Sequence, residues 1–391
     1  MSLEGLPDDF VLSTLRTSEC FQRVKNGKKI VNVSPSVLSK DGYLSIVYLV
    51  EVIFNDDSKF SCILKIPSAK RYIEAMGQDE KNANLAPLET LHNRECQAFE
   101  ILRQCNTTAP KLYASKQVVD VAKDSGYVLM ESFVDNAAVF GIFTAPTEEQ
   151  CINVAHNLGK LRAEVAKVPL ESYSMWNEPF RVEQDMLTVL MQKHIPALIK
   201  HDKETFGPLT EELEPFTNRK TFSYLMKGHA EKLGVQSLTH GDLHGGNMIV
   251  KLNPDGSRSN EIASFIDWQT SFCGNSLYDL TTFLSFADAK TRHKMEKIVL
   301  DEYYNTYLEH CQSPDPNFSR EICQELYDIA LMMSGIEWQH WFGILTDNSG
   351  NMNEDDMKEL KEKLAVQTRD VIQDAIRLIR KYDLQSLINN A

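Results

Sequence analysis

Long hydrophobic runs are missing from this chain of 391 residues. The richest apolar stretch, LSIVYLVEVIF, is cut by Glu51 and reads as a strand, so no membrane span is expected. The opening MSLEGLPDDFVL is acidic and has no continuous apolar centre, which argues against a secretory signal and for a cytoplasmic protein. Cysteine motifs are missing too. Eight cysteines are scattered without a C-x-x-C pair, and so long a chain needs no staples, so reduced thiols are expected rather than disulfides or zinc. Positive charge is short: 41 Lys+Arg stand against 55 Asp+Glu, a net charge of −14. Residues 1–130 carry 16 of each sign, so the deficit falls wholly on the remainder. An acidic surface repels polyanions and disfavours nucleic acid as a partner. It serves either solubility or a field that favours a neutral or cationic substrate. Internal repeats and low-complexity tracts are absent, and nothing calls for an obligatory protein partner.

What is present changes character along the chain. YLSIVYLVEVIF and KFSCILKI are rich in β-branched and aromatic residues, with NDDS between them as a hairpin turn. ETLHNRECQAFEILRQC has helical periodicity, and GYVLMESF is a further apolar strand. From Pro146 the pattern is mainly helical. TEEQ at 147–150 is a capping-box signature, followed by Ile152, Ala155, Leu158, Leu161 and Val165 on one face. MIVKL and IASFID, joined by NPDGSRSNE, interrupt the helices as a hairpin. These patterns predict an α+β chain: a small β-rich lobe over residues 1–130, then a larger, mainly helical lobe over 131–391.

LTHGDLHGGNMIV, Leu238 to Val250, leads into that hairpin and carries the densest chemistry. Asp242 is placed to accept a proton from a hydroxyl nucleophile, and Asn247 to ligate a metal through its amide oxygen. The hairpin returns Asp267, in FIDWQ, toward the same entrance. Two carboxylates and an amide are all hard oxygen donors, which suits Mg²⁺ and the phosphates it carries. The spacing follows kinase logic, a catalytic loop and a metal-binding aspartate with ATP as phosphoryl donor. That logic demands a lysine paired with a helix glutamate. Lys65 closes KFSCILK, and Glu95 lies in the apolar stripe of Leu91, Ala98, Phe99 and Leu102, where a buried carboxylate needs a cation. In GYVLMESF the backbone from Glu131 to Phe133 is placed to meet an adenine edge. SKDGYLS, with Gly42 and Ser45, takes the position of a nucleotide-covering loop without its G-x-G-x-x-G motif. Asp279 falls in an apolar helix and should accept from the backbone of the 240–247 loop.

HGDLHGGN, FIDWQ and LYDL resemble the choline kinase and aminoglycoside phosphotransferase superfamily of protein-kinase-like enzymes. DGYLSIVYLVEVIF, CILKIP, NRECQAFEIL, LGKLRA and DLTTFLSFA follow the order of its CHK-kinase-like group, related to ecdysteroid kinases. The resemblance spans residues 5–345 and implies a bilobal protein-kinase-like fold that transfers the γ-phosphoryl group of ATP to a small-molecule hydroxyl. It implies Asp242 as base, Asn247 and Asp267 on Mg²⁺, Lys65 and Glu95 at the α/β-phosphates, and His240 as the structural histidine of the loop. Gly241 stands where protein kinases place an arginine, and no A-P-E anchor follows Asp267, so a protein substrate has no platform. Trp338 and Trp341, three apart in GIEWQHWFG, either box a quaternary ammonium as in choline kinases, wall a steroid-type alcohol, or pack in the core. A pseudokinase, binding without catalysis, is the alternative to a phosphotransferase.

Overall fold

A computed structural model describes residues 6–39, 44–176, 178–347 and 352–390. The chain order opens with α1 (Asp8–Arg16), α2 (Glu19–Lys25), β1 (Ile30–Ser39), β2 (Ser45–Phe54) and β3 (Lys59–Pro67). Next come α3 (Ala69–Met76), α4 (Ala86–Leu102), β4 (Leu112–Lys116), β5 (Tyr127–Glu131) and β6 (Ala137–Val139). Helices α5 (Glu148–Val165), α6 (Phe180–Glu183), α7 (Met186–His201), α8 (Lys203–Leu213), α9 (Arg219–Ser223) and α10 (His229–Lys232) lead to β7 (Ser237–Thr239). The hairpin β8 (Met248–Leu252) and β9 (Arg258–Phe265) precedes β10 (Phe272–Gly274). Then α11 (Tyr278–Leu284), α12 (Ala289–His310), α13 (Arg320–Asp347), α14 (Glu354–Tyr382) and α15 (Leu384–Asn389) complete the chain. It divides into two units, Met1–Gln104 with Ala109–Ala138 and Ile266–Gln269, and Cys105–Thr108 with Val139–Phe265 and Thr270–Ala391.

The first unit is a five-stranded antiparallel sheet in the order β1-β2-β3-β5-β4. Alternation drives it. Val50, Val52 and Phe54 on β2 and Phe60, Cys62 and Leu64 on β3 turn inward, against Leu15 of α1, Phe21 of α2 and Leu129 of β5. Each fully buried side chain of this size is worth about 1.5–3 kcal/mol. The Asn55–Ser58 turn closes where expected, with Asp57 at φ 60° and Phe54 N–H donating to Ser58 O at 3.0 Å. The two N-terminal helices had no advance signal in the sequence reading.

The second unit is mainly helical. Thr147 and Gln150 form the capping box at the head of α5, and Ala155, Leu158, Leu161 and Val165 are buried as their spacing requires. The β8–β9 turn is tighter than the sequence suggests: strand resumes at Arg258. Asn253 N–H donates to Ser257 O at 2.8 Å, Asp255 Oδ1 accepts from Ser257 N–H, and Gly256 takes φ +82°, so five residues suffice. A second, very short ladder escapes periodicity altogether, β7 against β10 with Phe272 opposite Thr239. Three-residue strands are too brief to show alternation.

Candidate active site

In the first unit the site forms around one ammonium. Lys65 faces α4 from the buried end of β3, its Nζ 2.8 Å from Glu95 Oε1 and 2.6 Å from Asp267 Oδ1. Lys65 and Glu95 are almost fully enclosed, whereas the Asp267 side chain is about a third exposed. Burial works against the lysine's charge, but the two carboxylates outweigh it and hold the ammonium above its ordinary range. Glu95 feels burial most, which together with the Asp267 charge lifts it to about 7 against the pull of Lys65. Asp267 sits at φ +68°, a left-handed conformation that aspartate tolerates better than most non-glycine residues. Its Oδ2 accepts from Gln269 Nε2 at 3.3 Å.

The other first-unit residues singled out by sequence are placed as follows. Ser45 opens β2, is buried, and has its carbonyl bonded by Arg71 Nη1 at 3.0 Å. Gly42 lies outside the described residues. Glu131 N–H is committed to Lys111 O, and the Phe133 carbonyl accepts from Asn136 and Ala137.

In the second unit the loop after β7 is shaped from beneath. Asp279, at the head of α11 and 1% exposed, accepts from His240 N at 2.7 Å and Gly241 N at 2.9 Å, as the sequence suggested. Burial lifts its carboxyl to about 7 even though both backbone donors favour the charge. His240 is fully buried, and its Nδ1 accepts from Asp242 N at 3.3 Å. Gly241 takes φ +84°, and a Cβ there would lie 2.5 Å from Thr270 O. An arginine does not fit in that slot.

Asp242 keeps about a quarter of its side chain exposed. Burial opposes its charge, but Arg181, His244 and His240 overcome it and hold the carboxyl below the ordinary aspartate value. Arg181 Nη2 is 3.6 Å from Asp242 Oδ1, and His244 Nε2 is 3.8 Å from Oδ2. Asn247, buried, donates from Nδ2 to Asp242 O at 2.9 Å, which fixes the amide. Trp338 and Trp341 are buried, 1% and 7% exposed. Phe286 meets both edge-on, at 5.1 and 5.7 Å between centroids, and Trp341 meets His244 at 5.9 Å. The sequence reading missed Arg181, Tyr278, His244 and Glu337. Tyr278, His244 and Glu337 lie inside LYDL, HGDLHGGN and GIEWQHWFG, whereas Arg181 sits in PFRVE, which carries no motif.

Among the described residues no three His, Cys, Asp or Glu gather as metal ligands. Mg²⁺ does not require such a cluster, since it takes one or two carboxylates and completes its shell with water and phosphate oxygens. In the first unit the part-exposed Asp267 carboxylate is a hard oxygen donor, and in the second unit the Asn247 amide oxygen is another.

A family model described as DUF1679, Uncharacterized oxidoreductase dhs-27, matches residues 36–382. A curated relative, Uncharacterized oxidoreductase dhs-27 of Caenorhabditis elegans, is 24% identical over 306 residues. The match takes in 73% of this chain but spans only 36% of that protein's length. Among solved structures, choline kinase from Cryptosporidium parvum superposes with a TM-score of 0.51 at 14% identity, covering 96% of each chain. Plasmodium vivax ethanolamine kinase gives 0.43 at 16% identity, over 85% of this chain and 82% of that one. The fold, a β-sheet N-terminal part and a larger helical part, is thus the protein-kinase-like fold of small-molecule kinases.

Proposed function

The chain belongs to the DUF1679 family, and from that premise we propose that it is an ATP-dependent phosphotransferase acting on a hydroxyl of a small molecule. The observation that carries this reading is Lys65 held by Glu95 and Asp267. A buried lysine shared by two carboxylates is costly to desolvate and is weak support for stability alone. It is well suited to neutralising nucleotide phosphates. Asp267 and Asn247 are the residues we assign to Mg²⁺, which when bound would offset the charge on the phosphates.

Asp242 is the base. Kept ionised beside Arg181, its carboxylate would orient the acceptor hydroxyl and take its proton as the bond to phosphorus forms. The backbone between Glu131 and Phe133 would meet the adenine edge. Trp338 and Trp341 are too enclosed to box a quaternary ammonium, and Trp341 reaches His244 through a ring contact beside Asp242. Rings so enclosed favour neither a steroid-type alcohol nor choline or ethanolamine, and both classes of acceptor belong in the screen. The oxidoreductase name belongs to a longer protein of which the match spans 36%, and the five-stranded sheet here is antiparallel, unlike the parallel sheet of the doubly wound dinucleotide-binding fold.

The test is an ADP-release screen over choline, ethanolamine, aminoglycosides, sugars and hydroxysteroids. Asp242→Asn should lose turnover by several orders of magnitude yet bind Mg·ATP nearly as wild type in calorimetry. Wild-type turnover in that variant removes Asp242 from the base role. Mg·ATP binding with no turnover on any alcohol leaves a pseudokinase instead.

A further inference from the structure

Gly241 leaves the loop without the arginine that protein kinases carry there, yet a buried guanidinium reaches the same backbone from elsewhere. Arg181 lies on the four-residue helix α6, directly after Pro179 and Phe180, and is 8% exposed. Its Nη2 donates to the Gly241 carbonyl and, at 3.0 Å, to the Tyr278 hydroxyl. The same nitrogen stands 3.6 Å from Asp242 Oδ1, and Nη1 stands 3.5 Å from Glu337 Oε1. Tyr278 donates in turn to Glu337, at 2.9 Å to Oε1 and 2.8 Å to Oε2. One planar cation thus joins α6, the catalytic loop, α11 and α13, and only a fork of donors can serve partners in so many directions.

We propose that Arg181 is the positioning residue of the phosphotransfer site: it holds the Gly241 carbonyl, and so fixes where the Asp242 carboxylate meets the acceptor hydroxyl, with Glu337 and Tyr278 fixing the guanidinium. This rests on the kinase reading above. In this role Arg181 acts through Asp242, 3.6 Å from its Oδ1. Its place in the loop cannot be taken by a residue at 241, where any side chain strikes Thr270 O.

The experiment compares wild type, Arg181→Gln, Arg181→Lys, Asp242→Asn and the pair Arg181→Gln/Asp242→Asn, by ADP release with the best alcohol of the screen, or with water if none is found. Arg181→Met/Glu337→Gln is added because removing both charges avoids a buried unpaired carboxylate, and thermal melts report the folded fraction. Arg181→Gln should cut kcat on the order of 10- to 100-fold, leave KM for Mg·ATP within about twofold, and recover in part as Arg181→Lys. In the Asp242→Asn background the same change should cost nothing further, because the arginine has no base left to place. Equal losses in both backgrounds, or wild-type kcat in folded Arg181→Gln or in the double-charge variant, overturn the proposal. Wild-type turnover in Asp242→Asn, or no ADP release by wild type with any acceptor, removes the kinase reading itself.

Discussion

Lys65 and Asp279 show how far single residues could be read in advance. The Lys65–Glu95 pairing was legible because a glutamate in an apolar helical stripe must find a cation, and Lys65 closes the apolar strand KFSCILK ahead of that helix. That Asp267 shares the same ammonium was not legible: it depends on a left-handed turn after β9 that no periodicity announces. With Lys65 in the phosphate-neutralising role we propose, Lys65→Met should raise KM for Mg·ATP by on the order of tenfold or more; nucleotide titration by calorimetry reads this directly. Asp279 yields a prediction on pH. Its carboxyl is lifted from an ordinary 3.8 to about 7 in the folded chain. Between those values the folded chain keeps a proton that the unfolded chain has released, so Asp279's contribution to stability is present at low pH and lost as pH rises through the window. The melting temperature of wild type minus that of Asp279→Asn should therefore fall between about pH 4 and about pH 7. A difference that is flat or grows with pH would contradict the burial argument.

Elements were legible in proportion to their length. The hairpin β2–β3, the amphipathic α4 and the capped α5 each carry several turns or alternations of consistent pattern, so local preference and burial agree. The ladder of β7 and β10 and the four-residue α6 are too short to leave a pattern, and their positions come from tertiary contacts alone. That is why Arg181 was invisible. The loop between β7 and β8 was recognised by residue type, but its shape rests on Gly241. Gly241→Ala combines a left-handed φ with a Cβ set against Thr270 O, and should cost about 2–4 kcal/mol. Urea denaturation would show this as a lower midpoint with an unchanged slope, and activity should fall with it as His240 and Asp242 shift. A fully active and equally stable Gly241→Ala would mean that the loop is not held as described.

At the scale of the whole molecule, composition excluded more than it revealed. All eight cysteines are free, and no helix among the described residues is long and apolar enough to cross a membrane. The fold class followed from the change of pattern near the first third of the chain, and the protein-kinase-like fold is shared with choline kinase. The acceptor was not legible, because two tryptophans at helical spacing look the same whether they wall a pocket or fill a core. A ligand that binds only the folded chain stabilises it by about 2.7 kcal/mol at a hundred times its dissociation constant. Mg·ATP should accordingly raise the melting temperature by several degrees, and ATP with EDTA by clearly less; equal shifts would speak against the metal role of Asn247 and Asp267.

Residues 266–269 group with the first unit although the chain before and after them belongs to the second. A gene cut at Ala138 would therefore yield a sheet whose lysine has lost its aspartate, and a fragment starting at 139 would carry that aspartate with no lysine to meet. Mixing the two halves, not either alone, is the least that should restore nucleotide binding. Gene fusions or splice forms that break the chain between them should be inert.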